Sequence, residues 1–139
     1  MNFYKDNYLI STDREKMQLR EIIGFMRRSY WAADRPEALI EKTLDTSLCF
    51  ALFEDDKQIG FARVITDYAV FAYLLDVFIT EDKRSLGLGK WLMEVIINYP
   101  RLKDVESWML ATKDAHSLYA KYGFKSLENP GLYMKLKRL

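Results

Sequence analysis

Two glycines and several basic residues lie between a strand-like and a helix-like segment in VFITEDKRSLGLGKWLMEVI, residues 77–96. The glycines are Gly87 and Gly89, and the basic residues nearest to them are Arg84 and Lys90. A helix that begins here would present free N–H groups and the positive end of its dipole. The glycines would let an anion approach the main chain, and the basic side chains would add charge-assisted contacts. The stretch therefore predicts a binding site for a diphosphate.

A tight connection between a strand and a helix is the plainer explanation of the same glycines. The spacing lacks the first glycine of the dinucleotide fingerprint GxGxxG. No GK[ST] follows at the distance that a nucleotide-triphosphate loop requires. On the glycines alone, both interpretations stay open.

The part of the chain before this stretch predicts one strand and two helices. Thr12 and Glu15 have the spacing of a capping box, and apolar residues then recur at helical spacing, which predicts a helix over 13–28. An aromatic connector, SYWAAD at 29–34, follows this helix. The next proline and glutamate repeat the start signal and predict a shorter second helix.

Segments rich in aromatic and β-branched residues predict three successive strands in the middle of the chain. They are SLCFALF, KQIGFARVIT and AVFAYLLDVFIT, and the short polar breaks between them predict antiparallel pairing. A three-turn helix follows the glycines and ends at Pro100. VESWMLA predicts a fifth strand, a short helix then ends at Gly123, and GFKSL and GLYMKLKRL predict two closing strands.

The predicted order is β-α-α-β-β-β-α-β-α-β-β, an α/β fold with a mixed α+β sheet and an antiparallel front. The 139 residues fit one domain over 1–139. Half of the residues are hydrophobic, which indicates a compact folded protein. The 21 basic and 20 acidic residues leave a net charge of +1, so no domain-wide positive field favours nucleic-acid binding.

The cysteine and histidine content and the N-terminal sequence bear on disulfides, metal sites and membrane contact. Cys49 is the only cysteine and lies in an apolar run, which predicts an inert buried thiol and no disulfide. One histidine, one cysteine and scattered acids have no ligand spacing, so no metal is predicted. MNFYKDNYLISTDREK does not have the pattern of a leader, and no window has the roughly 20 apolar residues of a membrane span, so we expect a cytoplasmic protein without membrane contact.

Three segments in this order resemble the GNAT superfamily of N-acetyltransferases. RSLGLG, residues 84–89, resembles the family motif RxxGxG. LLDVFIT, residues 74–80, resembles the strand before the family's pyrophosphate loop. DAHSLYAKYGF, residues 114–124, resembles its short helix with a tyrosine, a lysine and then GF. The order of elements is similar to that of the family along nearly the whole chain.

The resemblance implies that acetyl-CoA binds as the acetyl donor in a wedge between the fourth and fifth strands. Its pantetheine would add like a strand to main-chain groups of Val77, Phe78 and Ile79. Its remaining contacts would come from the loop and the short helix: Arg84, Ser85, Leu86, Gly87, Leu88, Gly89, Lys90, Thr112 and Tyr119. Two positions depart from the family pattern. Thr112 replaces a frequent asparagine but can still cap the helix, and Glu81 replaces a frequent proline.

Acetyl transfer to an amine needs a neutral amine, a polarised carbonyl and a proton for the departing thiolate. The resemblance implies that Tyr119 is the general acid, whereas its spacing also suits a core aromatic residue. A main-chain N–H within 77–79 would polarise the carbonyl. Asp76 is the first candidate for the base, with a structural carboxylate as the alternative. His116 is the second candidate, with a surface histidine as the alternative.

The acceptor should meet the thioester from the opposite side of the wedge. Candidate lining residues, each of which could instead serve packing, are Tyr30, Trp31, Arg35, Phe71 and Tyr73. If Arg35 faces this pocket, an acidic group on the acceptor is expected. The sequence thus predicts acetylation of a small-molecule primary amine by direct transfer in a ternary complex. The alternatives are acetylation of protein N-termini or lysines, and a non-catalytic acyl-CoA-binding module. The alternation GLYMKL could also contribute a sheet edge to a homodimer.

Overall fold

A six-stranded sheet in the order β1-β2-β3-β4-β5-β6 forms the centre of the computed structural model, which describes residues 1–138. Its strands are Asn2–Lys5 (β1), Tyr8–Ser11 (β2), Leu48–Glu54 (β3), Lys57–Thr66 (β4), Phe71–Ile79 (β5) and Ser107–Leu110 (β6). The helices are Leu19–Arg27 (α1), Glu37–Thr46 (α2), Leu88–Ile97 (α3) and His116–Ala120 (α4). Pairing is antiparallel from β1 to β5 and parallel between β5 and β6. The predicted mixed α/β class is confirmed.

The N-terminal part differs from the prediction in two details. The single expected strand is a hairpin of β1 and β2, which turns at Asp6 with a φ of 53°. The first helix begins at Leu19 rather than near residue 13, and a short 3-10 turn precedes it. Asp13 caps that turn by accepting a hydrogen bond from the Glu15 amide at 3.0 Å. Thr12 is not the cap, because its hydroxyl contacts the N-terminal amine of Met1 at 3.1 Å.

The two predicted closing strands, GFKSL and GLYMKLKRL, are not formed in residues 123–138. Gly123 ends the turn after α4 with a φ of 95°, and the chain then runs outside the sheet. A 3-10 turn at Pro130–Leu132 is its only further regular element before residue 139, which lies outside the described residues. A strand needs a partner edge for its main-chain groups, and residues 123–138 pair with none, although the ring of Phe124 lies edge to face with Trp108 of β6.

Two hydrophobic clusters cover the two faces of the sheet. One contains α3, the segment that follows it and Tyr119, and the other contains α1 and α2. Cys49 lies in the second cluster, where burial raises the pKa of its thiol to about 12, so the expected inert thiol is confirmed. Among residues 1–138, none of the helices has both the length and the apolar surface that a bilayer crossing requires.

Strand β5 contains a bulge. Phe61 and Arg63 of β4 are two residues apart, but their partners Phe78 and Leu75 on β5 are three residues apart. The extra residue reverses the side-chain alternation, so Leu74 lies in the cluster with α3 and Phe78 lies in the cluster with α1. A bulge of this kind bends its strand and increases the local twist.

Asp76 occupies the bulge in the left-handed region, with a φ of 54°. Its Oδ1 accepts a hydrogen bond from Trp31 Nε1 at 2.9 Å. Its Oδ2 accepts from Arg35 Nη1 at 2.8 Å and from Arg63 Nε at 2.9 Å. The Asp76 side chain is only 2% exposed, so these three donors replace water around the buried carboxylate. The bulge is therefore held by side chains from β4 and from the connector between α1 and α2.

Replacing Asp76 with Asn should destabilise the fold by removing the charge between the two arginines. Asparagine tolerates the left-handed conformation, so the change isolates the ion pairs from the backbone geometry. We expect the free energy of unfolding, measured by urea denaturation, to fall by about 3 kcal/mol because the buried Arg63 loses its partner. Asp45→Asn is the matched control, since its pair with Arg14 is exposed and should contribute less than about 1 kcal/mol. An Asp76→Asn variant as stable as the parent chain would contradict this role.

Candidate active site

Strands β5 and β6 form a fork. They pair from Phe71 and Ser107 to Leu74 and Leu110, where β6 ends. The bulge follows directly, and β5 continues alone to Ile79. Over residues 75–79, the β5 edge that faces away from β4 has no strand partner within the described chain. An extended ligand can pair with such an edge through main-chain hydrogen bonds.

The loop after β5 leads to the N-terminus of α3. Gly87 is the N-cap residue with a φ of 80°, and Ser85 also has a positive φ of 65°. Within residues 1–138, no side chain caps this helix, so its first N–H groups remain free of a protein cap. Consecutive N–H groups in such a conformation form a concave site for anions. This main-chain geometry is compatible with the predicted anion-binding loop, which stays a prediction.

Glu81 holds the entry to this loop. It begins the 3-10 turn Glu81–Lys83 and accepts a hydrogen bond from Arg28 Nε at 2.9 Å. This contact lowers the pKa of the Glu81 carboxyl. An ion pair with Arg28, the residue after α1, thus contacts the loop at the position where the resembled family often has proline, and both of its side chains are about half exposed.

Gly89 has no reason within the fold to be glycine. Its φ is not positive, and a β-carbon at this position would meet no atom within 4 Å. Glycine inside a helix is less favourable than alanine by about 1 kcal/mol. Open space beside the main chain suits the close approach of a ligand. Gly87 differs, because its positive φ alone accounts for the residue type.

Tyr119 carries a hydroxyl group that is available for chemistry. The residue is buried on α4, yet its hydroxyl makes no hydrogen bond within residues 1–138. Burial raises the pKa of this phenol, and the phenol of Tyr30 and the carboxyl of Asp114 raise it further. The group therefore stays protonated at neutral pH and can act as a proton donor.

Two contacts position α4 beside α3. Thr112 Oγ1 accepts a hydrogen bond from the Ala115 amide at 3.1 Å in the turn before α4, but its predicted capping role is wrong, because Ala115 is the N-cap residue and no side chain among the described residues caps this helix. Tyr122 donates its hydroxyl to the carbonyl oxygen of Lys90 at 3.1 Å. The second contact connects the turn that carries Tyr119 to the first turn of α3.

The aromatic connector joins the two prongs of the fork. Trp31 donates to Asp76 on β5, and the Tyr30 hydroxyl accepts from the amide of Lys113 at 2.9 Å, just beyond β6. The two aromatic rings contact each other edge to face, with centroids 5.1 Å apart. The connector therefore spans the fork on the side of α1 and α2.

Several predicted residues lie away from their expected positions. Arg84 donates its Nε to the carbonyl oxygen of Ile79 at 3.0 Å and lies over the ring of Phe78, so it braces the end of β5. His116 is exposed at the start of α4. Phe71 is exposed and lies at the closed end of the paired stretch, whereas Tyr73 is half-buried nearer the fork.

Arg63 is a site residue that the sequence interpretation missed. It is 7% exposed at its side chain, and it holds both Asp76 and the hydroxyl of Ser47. A signal was present, because this arginine interrupts an otherwise apolar strand, KQIGFARVIT. A charge that is buried in a strand requires a partner. Its partner lies on the next strand, where the bulge sets an irregular register that alternation does not reveal.

Comparison with known proteins identifies the family. The family model of the acetyltransferase (GNAT) domain matches residues 45–126. The chain belongs to the GNAT family of acetyltransferases. A GNAT-family structure from Xanthomonas campestris pv. campestris is 40% identical, with a TM-score of 0.91 over 96% of this chain and 94% of that one. An N-acetyltransferase of Pyropia yezoensis is 32% identical over 87% of this chain and 71% of its own length.

This GNAT protein is therefore an enzyme, an acetyl-CoA-dependent acyltransferase. A GNAT acetyltransferase from Elizabethkingia anophelis that was solved with acetyl-CoA bound has a TM-score of 0.66 over 87% of this chain and 78% of that one. The two sequences are only 18% identical, so this likeness concerns the fold alone.

Gly89→Ala should change stability and coenzyme affinity in opposite directions. We expect the free energy of unfolding of the GNAT enzyme alone to rise by about 1 kcal/mol, because alanine is the better helix former and its methyl group meets nothing. Calorimetric titration should show acetyl-CoA affinity at least about fivefold weaker, since that methyl group occupies the ligand's space. Glu94→Ala, on an exposed position of the same helix, is the control that should keep the affinity. Unchanged affinity in Gly89→Ala would contradict close main-chain approach at this position.

Proposed function

We propose that the enzyme transfers the acetyl group of acetyl-CoA to a primary amine of a small molecule, directly and in a ternary complex. The observation that carries the proposal is the continuity of the open β5 edge with the uncapped N-terminus of α3. The free hydroxyl of Tyr119 is the only proton donor that we assign. Family membership supports the reaction class, and the geometry supports the residue roles.

The residues of the fork suit acetyl-CoA. We assign the strand-like pantetheine to main-chain groups of Val77, Phe78 and Ile79, whose edge has no strand partner within the described chain, although the carbonyl oxygen of Ile79 already accepts from Arg84 Nε. We assign the pyrophosphate to free N–H groups within 84–90, where Gly89 leaves room for close approach. Lys90 is exposed at the same helix end and adds positive charge. The coenzyme supplies an activated thioester, and the protein supplies binding, orientation and proton transfer.

Tyr119 protonates the leaving thiolate in this proposal. Its raised pKa keeps the hydroxyl protonated well beyond neutral pH, and no protein acceptor competes for its proton within the described residues. A main-chain N–H within 77–79 polarises the carbonyl, because it is held rigidly by the pairing of β5 with β4. These two groups act on opposite ends of the thioester bond.

Asp76 is a positioning residue in this proposal rather than the base. Three donors occupy its two carboxylate oxygens, and the side chain is 2% exposed. A proton from the amine would have to displace an arginine contact to reach it. His116 is exposed and keeps the role of a candidate base that receives the proton through water.

The acceptor side favours a small molecule. Tyr30 and Trp31 span the fork there, so the approach to the thioester is walled by aromatic rings rather than open as a groove. Arg35, Arg63 and Asp76 together hold two positive charges and one negative charge, and the Arg35 side chain is 21% exposed. This excess positive charge supports an acceptor that carries an acidic group near its amine.

An acceptor screen tests the proposed function. The enzyme is incubated with acetyl-CoA and a cell metabolite extract, and acetylated products are identified by mass spectrometry. A matched panel then compares amines with and without a carboxylate, together with a lysine-containing peptide. Preference for a carboxylated amine supports the proposal, and peptide acetylation alone supports the protein acetyltransferase instead. Binding of acetyl-CoA without turnover of any amine would indicate the non-catalytic module.

Tyr119→Phe should lower kcat by about 100-fold or more while the fold and the acetyl-CoA affinity stay close to those of the parent enzyme. The hydroxyl has no protein partner among residues 1–138, so its removal breaks no contact that stabilises the fold. Timed turnover assays with the best amine measure kcat, and thermal unfolding measures the stability of the fold.

Tyr99→Phe is the matched control for this prediction. It removes another buried tyrosine hydroxyl, one that lies 3.3 Å from Thr12 Oγ1 and away from the fork. We expect this variant to lose some stability and to keep its kcat. Equal turnover by Tyr119→Phe and the parent enzyme would end the general-acid assignment.

A further inference from the structure

Part of the sheet face on the side of α1 and α2 is apolar and exposed. Val64 and Leu74 lie in the cluster with α3, so their chain neighbours Ile65 and Tyr73, which pair with each other, face the opposite side. Phe71 lies two positions before Tyr73 and shares its face. Ile65 is 48% exposed, Phe71 is 41% exposed and Tyr73 is half-buried. We call these three side chains the β4–β5 patch, and among residues 1–138 they pack into neither hydrophobic cluster.

The β4–β5 patch borders the ion pairs at the bulge. Arg63 lies two positions before Ile65 on β4, so both side chains are on the same face of that strand. Arg63 and Arg35 both donate to Oδ2 of Asp76. Trp31 is 40% exposed and donates to the other oxygen of the same carboxylate. The patch, the two arginines and the aromatic connector therefore adjoin on one side of the sheet.

Three kinds of surface follow one another along β5. Phe71 and Tyr73 carry the patch, Asp76 carries the ion pairs, and residues 75–79 carry the open edge. Tyr73 and Val77 are four positions apart, which is about 13 Å of fully extended strand and less where the bulge bends it. One small molecule can therefore contact all three surfaces. An α-amino acid with a large apolar side chain has its groups in the same order: the side chain, the carboxylate and the amine.

We propose that the acceptor is an α-amino acid whose large apolar side chain lies on the β4–β5 patch and whose carboxylate lies against the arginines. This inference rests on the proposed acetyl transfer and specifies its substrate class. Arg35 and Arg63 carry two positive charges against the one negative charge of Asp76, and the Arg35 side chain is 21% exposed. A second carboxylate complements this excess charge. The amine then lies toward 77–79, where the thioester is assigned.

The size of the patch favours a small molecule over a protein partner. A stable protein interface involves roughly 20 to 30 residues on each side. The β4–β5 patch consists of three side chains beside a charged cluster. A single apolar group with an adjacent carboxylate matches both the extent and the charge of this surface.

The turn between β4 and β5 holds the patch in place. Oδ1 of Asp67 accepts hydrogen bonds from the amides of Ala69, Val70 and Phe71 at 2.9, 2.9 and 3.1 Å. The hydroxyl of Thr66 donates to the carbonyl oxygen of Phe71 at 2.7 Å. Both main-chain groups of Phe71 are therefore fixed by side chains of the turn. A surface that is formed in advance loses little conformational freedom when a ligand binds.

The transfer converts the amino acid into its N-acetyl derivative. The ammonium group first loses a proton, and the neutral nitrogen then attacks the acetyl carbon. A C–N bond forms, the C–S bond breaks, and the thiolate of the coenzyme takes a proton from Tyr119. The nitrogen releases its second proton, which restores the phenol through water. The products are the N-acetyl amino acid, the free thiol of the coenzyme and one proton.

A matched set of amines tests both recognition elements. Alanine lacks the large side chain of phenylalanine, and 2-phenylethylamine lacks its carboxylate. Each kcat/KM is expressed per neutral amine, because the three amines differ in pKa. We expect the value for phenylalanine to exceed each of the other two by about tenfold or more, since a lost apolar or charged contact has an effect of this size. Equal values for phenylalanine and either partner would overturn the proposal.

Ile65→Ser and Phe71→Ser test the patch directly. Both side chains are exposed, so we expect the variants to keep the fold, which thermal unfolding checks. Each variant should lower kcat/KM for phenylalanine by about tenfold and reduce its advantage over alanine. Leu39→Ser, at a 36% exposed position on α2, is the matched control that should retain the advantage. Full retention of the advantage in both patch variants would contradict the assignment.

Calorimetric titration separates this inference from the proposed acetyl transfer. Phenylalanine should bind the parent enzyme about tenfold more tightly than it binds Ile65→Ser. This difference without turnover of any amine would support the recognition of the amino acid and end the proposed transfer. Turnover of amines without preference for a large apolar side chain would support the transfer and overturn the inference.

Sedimentation velocity tests a different occupant of the patch. We expect the parent chain and Ile65→Ser to have the same mass in solution. A dimer that forms with the parent chain and is lost in Ile65→Ser would place a second copy on the β4–β5 patch, and the amino-acid proposal would then be wrong.

Discussion

The buried carboxylate of Asp76 is the constraint on which the site depends. It sits at the one extra residue of β5, in a left-handed conformation, and receives three donors from elsewhere in the chain. The pairing of β5 with β6 ends at Leu74, opposite the last residue of β6, and the bulge follows directly. The extra residue reverses which side chains face each layer. One ion-pair cluster thus fixes both the fork and the connector that crosses it.

The site combines several features that a fold selected only for stability would avoid. An α-helix without a side-chain cap and an unpaired strand edge each leave main-chain groups without a partner among the described residues. A glycine inside the first turn lowers the stability of that helix. They occur together along one continuous path from β5 to α3. Local departures from stable design that converge in this way are characteristic of functional sites.

Much of the fold could be predicted because its signals are local. The branched and aromatic segments of β3 to β5, and the helical spacing after Gly89, indicate their elements without reference to the rest of the chain. The bulge could not be predicted from alternation. Nothing in the alternation of β5 shows that Leu75 and Phe78, three residues apart, pair with two residues of β4 that are only two apart. Arg63 offered a hint but did not identify its partner. The segment GLYMKLKRL illustrates a different limit: its alternation predicts a strand, but alternation does not show whether a sheet edge pairs with it, and no strand forms there within residues 131–138.

The hydrogen bond between the Tyr30 hydroxyl and the Lys113 amide attaches the connector to the chain just beyond β6. Through Trp31 and Asp76 the connector is also attached to β5, so a single loop is anchored to both sides of the gap. The separation of β5 and β6 and the position of the aromatic rings of Tyr30 and Trp31 are therefore coupled. A molecule that moves β5 and β6 further apart must also move this loop or break the hydrogen bond between Tyr30 and Lys113. The molecule that binds second then meets aromatic rings whose position depends on the first molecule.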